Sequence, residues 1–129
     1  MKLLVFMRKD LKMSEGKRMV QFGHASQAAT LELLSKLSAD LLFDSHFGAW
    51  SNIFEKWKTN GFTKICLEVD NQAELYLLRD RHEKHYLSGV IVDEGRTEFN
   101  NFTPTCAYAL VDKSSKDFQN YKLWKGDKK

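Results

Sequence analysis

A lysine, a glutamine and a histidine recur at helical spacing near the start of the chain. Lys17, Gln21 and His24 fall within about a 60° arc of an α-helix, because each residue advances by roughly 100°. A cation, an amide and an imidazole therefore point the same way from the first turns of a helix, whose N-terminal end is positively polarised. That face suits an anion. The same spacing also fits a histidine packed in the core beside an ordinary surface lysine.

A second group of polar residues follows an apolar segment later in the chain. Residues 93 to 97 read Asp-Glu-Gly-Arg-Thr, and loops that leave the carboxyl ends of strands collect ligand-binding groups in open α/β sheets. Gly95 permits the backbone of a sharp turn, although these five residues also make an ordinary turn. Thr105 lies eight residues further on. The period of two in a strand predicts that it shares a face with Ala107, opposite Cys106.

Two periodicities alternate along the chain and predict its elements. Apolar runs predict strands at residues 3–7, 62–69, 86–92 and 104–111, and helical spacing predicts helices at residues 14–37, 44–58 and 71–84. Ser14 is a candidate N-cap, and Asn71 with Glu74 fits a capping box. Alternating strands and helices are typical of βαβ units. We therefore expect an α/β domain with three layers, α/β/α, around a mixed, mostly parallel four-stranded sheet.

The composition indicates one globular domain, residues 1–129, that folds without disulfide bonds. Hydrophobic residues make up 43% of the 129 positions and charged residues 29%, which is enough apolar surface for a single core and too much for a disordered chain.

The longest apolar run, residues 3–7, can neither span a bilayer nor act as a signal peptide. Cys66 and Cys106 both sit in apolar segments, which predicts small buried side chains. We expect a cytoplasmic protein that is not bound to a membrane.

The formal net charge of +3 hides an uneven distribution. Residues 8–18 carry five basic side chains against two acidic ones, residues 113–129 carry six against two, and residues 61–100 carry five against eight. If the two basic segments meet on one face, they form a patch that attracts polyanions such as a nucleic-acid backbone. Lysine-rich ends that are merely solvated give the same count.

Taken in order, these motifs resemble those of the archaeal and eukaryotic (second) class of peptidyl-tRNA hydrolases. The similarity extends from Lys2 to Trp124. It rests on four segments: Arg8-x-Asp10-Leu11-Lys12-Met13-x-x-Gly16-Lys17-x-x-x-Gln21-x-x-His24-Ala25, then Asp93-x-Gly95-Arg96-Thr97, then Thr105, and finally Tyr121-Lys122-Leu123-Trp124, which is similar to the family's terminal strand. That family cleaves the ester between a peptide and the 3′ end of tRNA. Its fold, a four-stranded mixed sheet between helices, matches the order of elements predicted above.

The resemblance implies a set of functional residues in this chain. It assigns catalytic roles to Lys17, His24, Asp93, Thr97 and Thr105, and supporting roles to Gln21 and Arg96. It implies no metal ion and no organic cofactor. Peptidyl-tRNA is the implied substrate, and the basic side chains expected to contact its phosphates are Lys9, Lys12 and Arg18. We expect a monomer or a homodimer.

Ester hydrolysis needs a group that takes a proton from water and a group that stabilises charge on the carbonyl oxygen. A positioned base contributes about 10² to 10⁴ in rate, and one oxyanion donor contributes about 10² to 10³. Asp93 or His24 could supply the base. Lys17 and the threonine hydroxyls could hold the oxyanion, the water or the terminal ribose. We expect Asp93 and His24 to handle the proton and Lys17 to stabilise the negative charge, with the threonines positioning the reactants.

The chain departs from the family pattern at three places. Leu110 and Val111 stand where the family usually has Gly-Pro, which predicts a reshaped strand exit near the site. The stretch from His24 to Lys64 is longer than usual, and its aromatic side chains are expected to pack in the core rather than against a partner. The segment before Tyr121 is shorter, a change that loops tolerate. These departures favour one alternative, a non-catalytic RNA-binding or protein-interaction module on the same scaffold.

Overall fold

The computed structural model of the protein describes residues 1–43, 49–81, 85–95, 98–99 and 101–125. Within these residues the strands are β1 (Lys2–Arg8), β2 (Lys64–Val69), β3 (Leu87–Asp93) and β4 (Thr103–Val111), and the helices are α1 (Glu15–Phe43), α2 (Ala49–Thr59) and α3 (Gln72–Arg79). The order of these elements is the predicted one. Two parts of the predicted helices, residues 44–48 and 82–84, lie outside the described residues.

The four strands form one mixed sheet in the order β2-β1-β4-β3. β1 and β2 are parallel, whereas β4 runs antiparallel to β1 on one side and to β3 on the other. The prediction of a mostly parallel sheet is therefore wrong. A crossover to a parallel strand takes about a dozen residues or more. The segment between Asp93 and Thr103 is shorter than that, so β3 and β4 pair as a hairpin.

β1 is buried on both faces, as its continuous apolar run predicts. Its side chains alternate between two hydrophobic clusters. The first cluster joins the strand to α1 and α2 and includes Leu3, Val5, Met7, Ala25, Ala29, Leu33 and Trp57. The second joins it to α3 and includes Leu4, Phe6, Leu75 and Leu78. α1 packs on the face of the sheet that forms the first cluster. The first turns of this helix carry Lys17, Gln21 and His24.

A β-bulge interrupts the pairing of β3 with β4 next to Thr105. Ile91 pairs with Cys106, but the next residue of β3 pairs with Pro104, so Thr105 is the extra residue. Bulges re-aim side chains. Here the Thr105 hydroxyl contacts the Gln21 side chain and the Cys106 thiol contacts the Gln21 carbonyl, so both residues turn towards α1. The prediction that Thr105 faces away from Cys106 is wrong, because the bulge breaks the period of two.

Both predicted N-caps are confirmed. The Ser14 hydroxyl accepts a hydrogen bond from the Lys17 backbone N–H at 3.1 Å, and the Asn71 side chain accepts one from the Glu74 backbone N–H at 3.1 Å. Each bond satisfies one of the four N–H groups that the start of a helix leaves without an intrahelical partner. α1 continues to Phe43, beyond its predicted end near residue 37.

Two of the departures from the family pattern can be placed in the fold. Trp57 is 1% exposed and donates its indole N–H to the Thr63 carbonyl at 3.0 Å, so core packing is confirmed for this aromatic residue. Leu110 is buried in β4, where it pairs with Leu3 of β1. It lies five residues from Thr105, a distance of roughly 17 Å along a strand. The exit of this strand therefore does not lie near Thr105, contrary to the prediction.

Both cysteines are free thiols. Burial raises the pKa of the Cys106 thiol to about 12 and that of the Cys66 thiol to about 11. Neither therefore has the depressed pKa that activates a catalytic cysteine. None of the helices in the described part of the chain is long and apolar enough to cross a membrane.

Candidate active site

An ion pair joins the start of α1 to the end of β3. Lys17 Nζ lies 2.7 Å from Asp93 Oδ2, and the two side chains are 11% and 10% exposed. The N-cap at Ser14 fixes the helical turn that carries the cation, and Asp93 is the last residue of its strand. Charges this sheltered from water interact more strongly than charges on the surface. Two segments that are remote in the sequence therefore meet at one point.

The Asp93 carboxylate is held on both of its oxygens. Besides Lys17, Oδ2 accepts a hydrogen bond from Gln21 Nε2 at 3.0 Å, and Oδ1 accepts one from the Gly95 N–H at 2.8 Å. The Lys17 ammonium, supported by the Gly95 N–H and the Gln21 amide, holds the pKa of Asp93 below its ordinary value against the opposing effect of burial. Asp93 is therefore an anion at neutral pH and a weak base, better suited to orienting Lys17 than to taking a proton.

Gln21 connects Asp93 to Thr105. Its side chain is fully buried, and its Oε1 accepts a hydrogen bond from the Thr105 hydroxyl at 2.7 Å. An ionised carboxylate only accepts hydrogen bonds, so Asp93 faces the N–H₂ end of the amide, and the oxygen end is left to accept from the Thr105 hydroxyl. Thr105 is itself 0% exposed. The structure thus places it behind the ion pair, where it acts on Asp93 through the amide.

His24 shares an open pocket with the ion pair. The pocket has a volume of about 420 Å³ and is lined by Lys17, His24, Ile91, Val92, Asp93 and Glu94. His24 is exposed, so its ring is accessible to a ligand and to water. Imidazole is the side chain that most often transfers protons in catalysis. The pocket therefore combines a sheltered cation with an accessible imidazole, which are the two kinds of group that ester hydrolysis requires.

The loop after β3 is bound to the start of α1 through Glu98. Its carboxylate accepts a hydrogen bond from the Ser14 N–H at 3.1 Å and a second one from the Ser14 hydroxyl. The neighbouring Phe99 places its ring centroid 5.8 Å from Lys17 Nζ and packs against the first hydrophobic cluster. This loop therefore contacts the Lys17 side of the ion pair as well as the Asp93 side.

Gly95 makes the turn at the start of this loop. Its φ of +76° lies in the left-handed region, and a Cβ at this position would lie 2.7 Å from the Asn101 carbonyl oxygen. Both observations require glycine, as the sequence predicts. Two of the residues predicted for the site, Arg96 and Thr97, lie outside the described residues.

Sequence reasoning missed Glu98 and Phe99. Glu98 lies 84 residues from its partner Ser14, and no local pattern connects the two. The start of a helix favours a carboxylate, but the chain contains 17 aspartate and glutamate residues and nothing in their spacing selects this one. The contact could be found only from the fold.

Arg18 is buried and binds the protein's own backbone. Nη1 donates to the Met13 carbonyl at 2.9 Å, and Nη2 donates to the Leu11 carbonyl at 3.1 Å. The guanidinium carbon lies 4.6 Å from the centroid of the Trp124 ring. With 7% of its surface exposed, Arg18 offers little of its side chain to a phosphate group.

Lys9 and Lys12 lie on the exposed segment before α1. Lys9 Nζ lies 3.1 Å from Asp70 Oδ1 and 3.9 Å from Glu68 Oε2, so its charge is partly balanced by acidic residues at the end of β2. Lys12 is exposed. Both lysines line one surface depression together with Glu98, which belongs to the loop that contacts the ion pair.

Within the described ranges, no group of three or more His, Cys, Asp and Glu side chains is arranged to hold a metal ion. The groups that the structure does bring together are an ammonium, a carboxylate, an amide and an imidazole, contributed by α1 and by β3. These groups support acid–base chemistry and charge stabilisation.

The chain matches the model of a protein family described as peptidyl-tRNA hydrolase PTH2 over residues 1–121. It is 34% identical over 111 residues to a protein named peptidyl-tRNA hydrolase from Sulfolobus acidocaldarius, and the match covers 83% of each chain. It is 31% identical over 128 residues to a protein of the same name from Pyrobaculum aerophilum, covering 94% of this chain and 98% of the relative. A third such protein, from Thermoplasma volcanium, is 29% identical over 106 residues, covering 81% of this chain and 80% of the relative.

The family model spans the segments that carry Lys17, Asp93 and Thr105, and the elements that hold them together are those described above. On the extent of these matches, the chain belongs to the peptidyl-tRNA hydrolase PTH2 family.

Proposed function

We propose that this protein hydrolyses the ester bond between a peptide, or another N-acylated aminoacyl group, and the 3′ end of tRNA, and so releases free tRNA. The observation that carries the proposal is the Lys17–Asp93 ion pair, with its 2.7 Å contact, in the same pocket as His24. Membership of the family and the names of the archaeal relatives support it.

Lys17 stabilises the charge that develops on the carbonyl oxygen when water adds to the ester carbon. One donor aimed at such an oxyanion contributes about 10² to 10³ in rate. Asp93 holds the ammonium in place, since the two groups form a 2.7 Å ion pair. Gln21 and Thr105 hold Asp93 in turn. The hydroxyl of Thr105 is therefore a positioning group for the carboxylate.

His24 takes the proton from the attacking water. When the tetrahedral intermediate collapses, the ester C–O bond breaks and the imidazolium returns the proton to the departing 3′ oxygen of the ribose. The products are a free carboxylic acid on the peptide and a free hydroxyl on the tRNA. Asp93 is the weaker choice of base because Lys17 lowers the pKa of its carboxyl group. Arg96 keeps the supporting role, and Thr97 the catalytic role, that the resemblance implies.

The tRNA lies across the exposed segment before α1. Lys9 and Lys12 contact its phosphates, and these contacts position the substrate without reading its sequence. Arg18 is mostly buried against backbone carbonyls, which favours the two exposed lysines as the phosphate contacts.

The alternative, a non-catalytic RNA-binding or protein-interaction module, is favoured by the departures from the family pattern, among them Leu110 and Val111. Both residues are buried in β4, where they pair with β1, at the end of the strand remote from Thr105. Their departure from Gly-Pro therefore leaves the pocket as it is. A binding module also has no use for a sheltered ammonium beside an accessible imidazole, so an enzyme explains the site better.

We also propose that residues 1–129 form a single domain with three layers, α/β/α, that works in the cytoplasm as a monomer or a homodimer. The two hydrophobic clusters on opposite faces of the sheet support the layered arrangement. A substrate produced by translation supports the cytoplasmic location.

Incubation of the purified protein with an N-acetylated aminoacyl-tRNA, followed by measurement of intact tRNA released, tests the proposed activity. We expect multiple turnovers by the wild type and a loss of about 10² or more in Asp93→Ala, because Lys17 loses the partner that orients it. Binding without release would support the binding module instead. If the protein neither binds nor releases tRNA, both proposals are contradicted.

A further inference from the structure

The loop between β3 and β4 is attached to α1 by one acidic side chain outside the pocket. Both oxygens of Glu98 accept hydrogen bonds from Ser14, one from its backbone N–H and one from its hydroxyl. The same hydroxyl accepts a hydrogen bond from the Lys17 backbone N–H. Glu98, Ser14 and the backbone of Lys17 are thus connected in one short chain of hydrogen bonds.

The attachment is favourable on electrostatic grounds. Hydrogen bonds to an ionised carboxylate are stronger than those between neutral groups, and a negative charge at the start of a helix is stabilised by the helix dipole. Hydrogen bonding from Ser14 holds the pKa of Glu98 below its ordinary value. The carboxylate is therefore ionised at neutral pH, although its side chain is exposed.

The loop that Glu98 attaches contacts the catalytic ion pair from two sides. At its start, the Gly95 N–H donates to Asp93 Oδ1 at 2.8 Å. Next to Glu98, the ring of Phe99 lies 5.8 Å from Lys17 Nζ and is partly buried in the first hydrophobic cluster. A contact that holds Glu98 on α1 should therefore also restrain the Phe99 ring beside the ammonium and the Gly95 N–H that donates to the carboxylate.

We propose that Glu98 is a positioning residue for the hydrolysis: by binding Ser14 it holds Phe99 against Lys17 and the Gly95 N–H against Asp93. This inference rests on the proposed function, since it concerns the geometry of the same pocket. Glu98 is not among the residues that line the pocket of the ion pair. It acts through the loop, and its loss should change the rate of the chemical step more than the binding of tRNA.

Steady-state kinetics of four variants test this role. Glu98→Ala and Ser14→Ala should each lower kcat by about 10- to 100-fold, the effect of a small misplacement of catalytic groups, with KM changed by less than about threefold. Glu98→Gln keeps one acceptor oxygen and should lie between Glu98→Ala and the wild type. Ser14→Thr keeps the hydroxyl and should restore most of the activity that Ser14→Ala loses.

A double variant and a matched control separate positioning from general damage. Glu98→Ala combined with Ser14→Ala should lose less activity than the product of the two single losses, because both variants remove the bond between the Ser14 hydroxyl and Glu98. Ser14→Ala also removes the N-cap of α1. Asn71→Ala removes the N-cap of α3, on the opposite face of the sheet, and should leave kcat within about twofold of the wild type. A kcat for Glu98→Ala within twofold of the wild type would overturn the proposal, as would equal losses in Asn71→Ala and Ser14→Ala.

Amide hydrogen exchange does not depend on activity, so it tests the role of Glu98 separately from the proposed hydrolysis. Amide hydrogen exchange at Gly95 should be faster in Glu98→Ala than in the wild type, and slow again in Ser14→Thr. If the wild type releases no tRNA but exchange at Gly95 differs among the variants in this way, the contact between Glu98 and Ser14 holds the loop and the hydrolase proposal fails. Unchanged exchange at Gly95 in Glu98→Ala would overturn the positioning role even if the wild type is an active hydrolase.

Discussion

Lys17 and Asp93 depend on one another for a stable position inside the fold. Their side chains are only 11% and 10% exposed, so removing one leaves the other as an uncompensated charge with little water around it. Gln21 adds to this dependence, because its amide donates to the same carboxylate oxygen as the ammonium. The pair is therefore both the centre of the proposed site and a structural contact between α1 and β3.

The first prediction concerns this coupling. Lys17→Met and Asp93→Asn should each lower the free energy of unfolding by about 3 kcal/mol, the cost of breaking a sheltered ion pair. The double variant should lose clearly less than the sum of the two, since it leaves no single charge behind. Urea denaturation of the wild type, the two single variants and the double variant measures the coupling energy. Losses that simply add would show that the two side chains do not stabilise each other.

The second prediction gives the pH dependence of that contribution. Lys17 holds the pKa of Asp93 below its ordinary value of 3.8, so the folded protein binds this proton less readily than the unfolded chain does. The stabilisation is then fully present above the ordinary value and is lost as the pH falls through the lower, folded-state pKa. The gap in unfolding free energy between the wild type and Asp93→Asn should stay constant from about pH 7 to about pH 5 and shrink below about pH 4. A gap that widened in acid would have the wrong sign.

The hairpin of β3 and β4 depends on a glycine under an aromatic ring. A Cβ at Gly89 would lie 2.5 Å from the hydroxyl oxygen of Tyr108 and 2.7 Å from its Cζ. Tyr108 is 7% exposed and its hydroxyl donates to Glu32 of α1 at 2.9 Å. The ring therefore fills the space above the glycine and bonds the hairpin to the helix.

The third prediction compares two glycine substitutions. Gly89→Ala should lower the free energy of unfolding by about 1 to 3 kcal/mol, because the buried Tyr108 ring must shift and strain its bond to Glu32. Gly23→Ala places its Cβ in open space on α1 and should raise stability by up to about 1 kcal/mol, since alanine favours a helix over glycine. Thermal unfolding of both variants measures the difference. Equal effects of either sign would show that Tyr108 does not restrict the position.

Local patterns in the sequence predict the elements but not their pairing. The N-caps at Ser14 and Asn71 follow from side-chain chemistry within three residues, and the helical spacing of Lys17, Gln21 and His24 follows from the period of the helix. The antiparallel pairing of β4 depends on how the whole chain packs. Alternation of strands and helices alone led to the wrong expectation of a mostly parallel sheet.

The candidate site shows the same limit. The bulge that turns Thr105 towards Gln21 breaks the period of two, so a pattern based on that period could not place its hydroxyl. The contact of Glu98 with Ser14 joins residues 84 positions apart. What the sequence could predict was the type of chemistry, because the residue types and the family pattern carry it.

At the scale of the whole molecule, the described basic residues near the start of α1 differ in how far their charge is available to a ligand. Arg18 is buried against backbone carbonyls, and Lys9 pairs with Asp70. Lys12 is exposed next to the loop that contacts the ion pair. The formal net charge of +3 therefore does not measure how strongly the surface beside the pocket attracts a phosphate backbone, and Lys12 is the residue at which to test that attraction.

The fourth prediction concerns the salt dependence of tRNA binding. Affinity should fall steeply between about 50 and 200 mM salt, and Lys12→Ala should reduce the slope of log K against log salt by about 0.7 to 0.9, the value for one phosphate contact. Lys58→Ala changes an exposed lysine of α2 and should leave the slope unchanged. Binding titrations at several salt concentrations measure the slopes. A flat response in the wild type would rule out phosphate contacts as the source of affinity.

The proposed activity requires that Lys17 of α1 and Asp93 of β3 act together on one ester, beside His24. Single-turnover cleavage of N-acetylated aminoacyl-tRNA by saturating enzyme tests this most directly, because it reports the chemical step without product release. We expect Lys17→Met and Asp93→Asn each to slow cleavage by about 10² or more, while Asp80→Asn, which alters an exposed ion pair with Arg79, cleaves at the rate of the wild type. Cleavage by Lys17→Met at the wild-type rate would contradict the account.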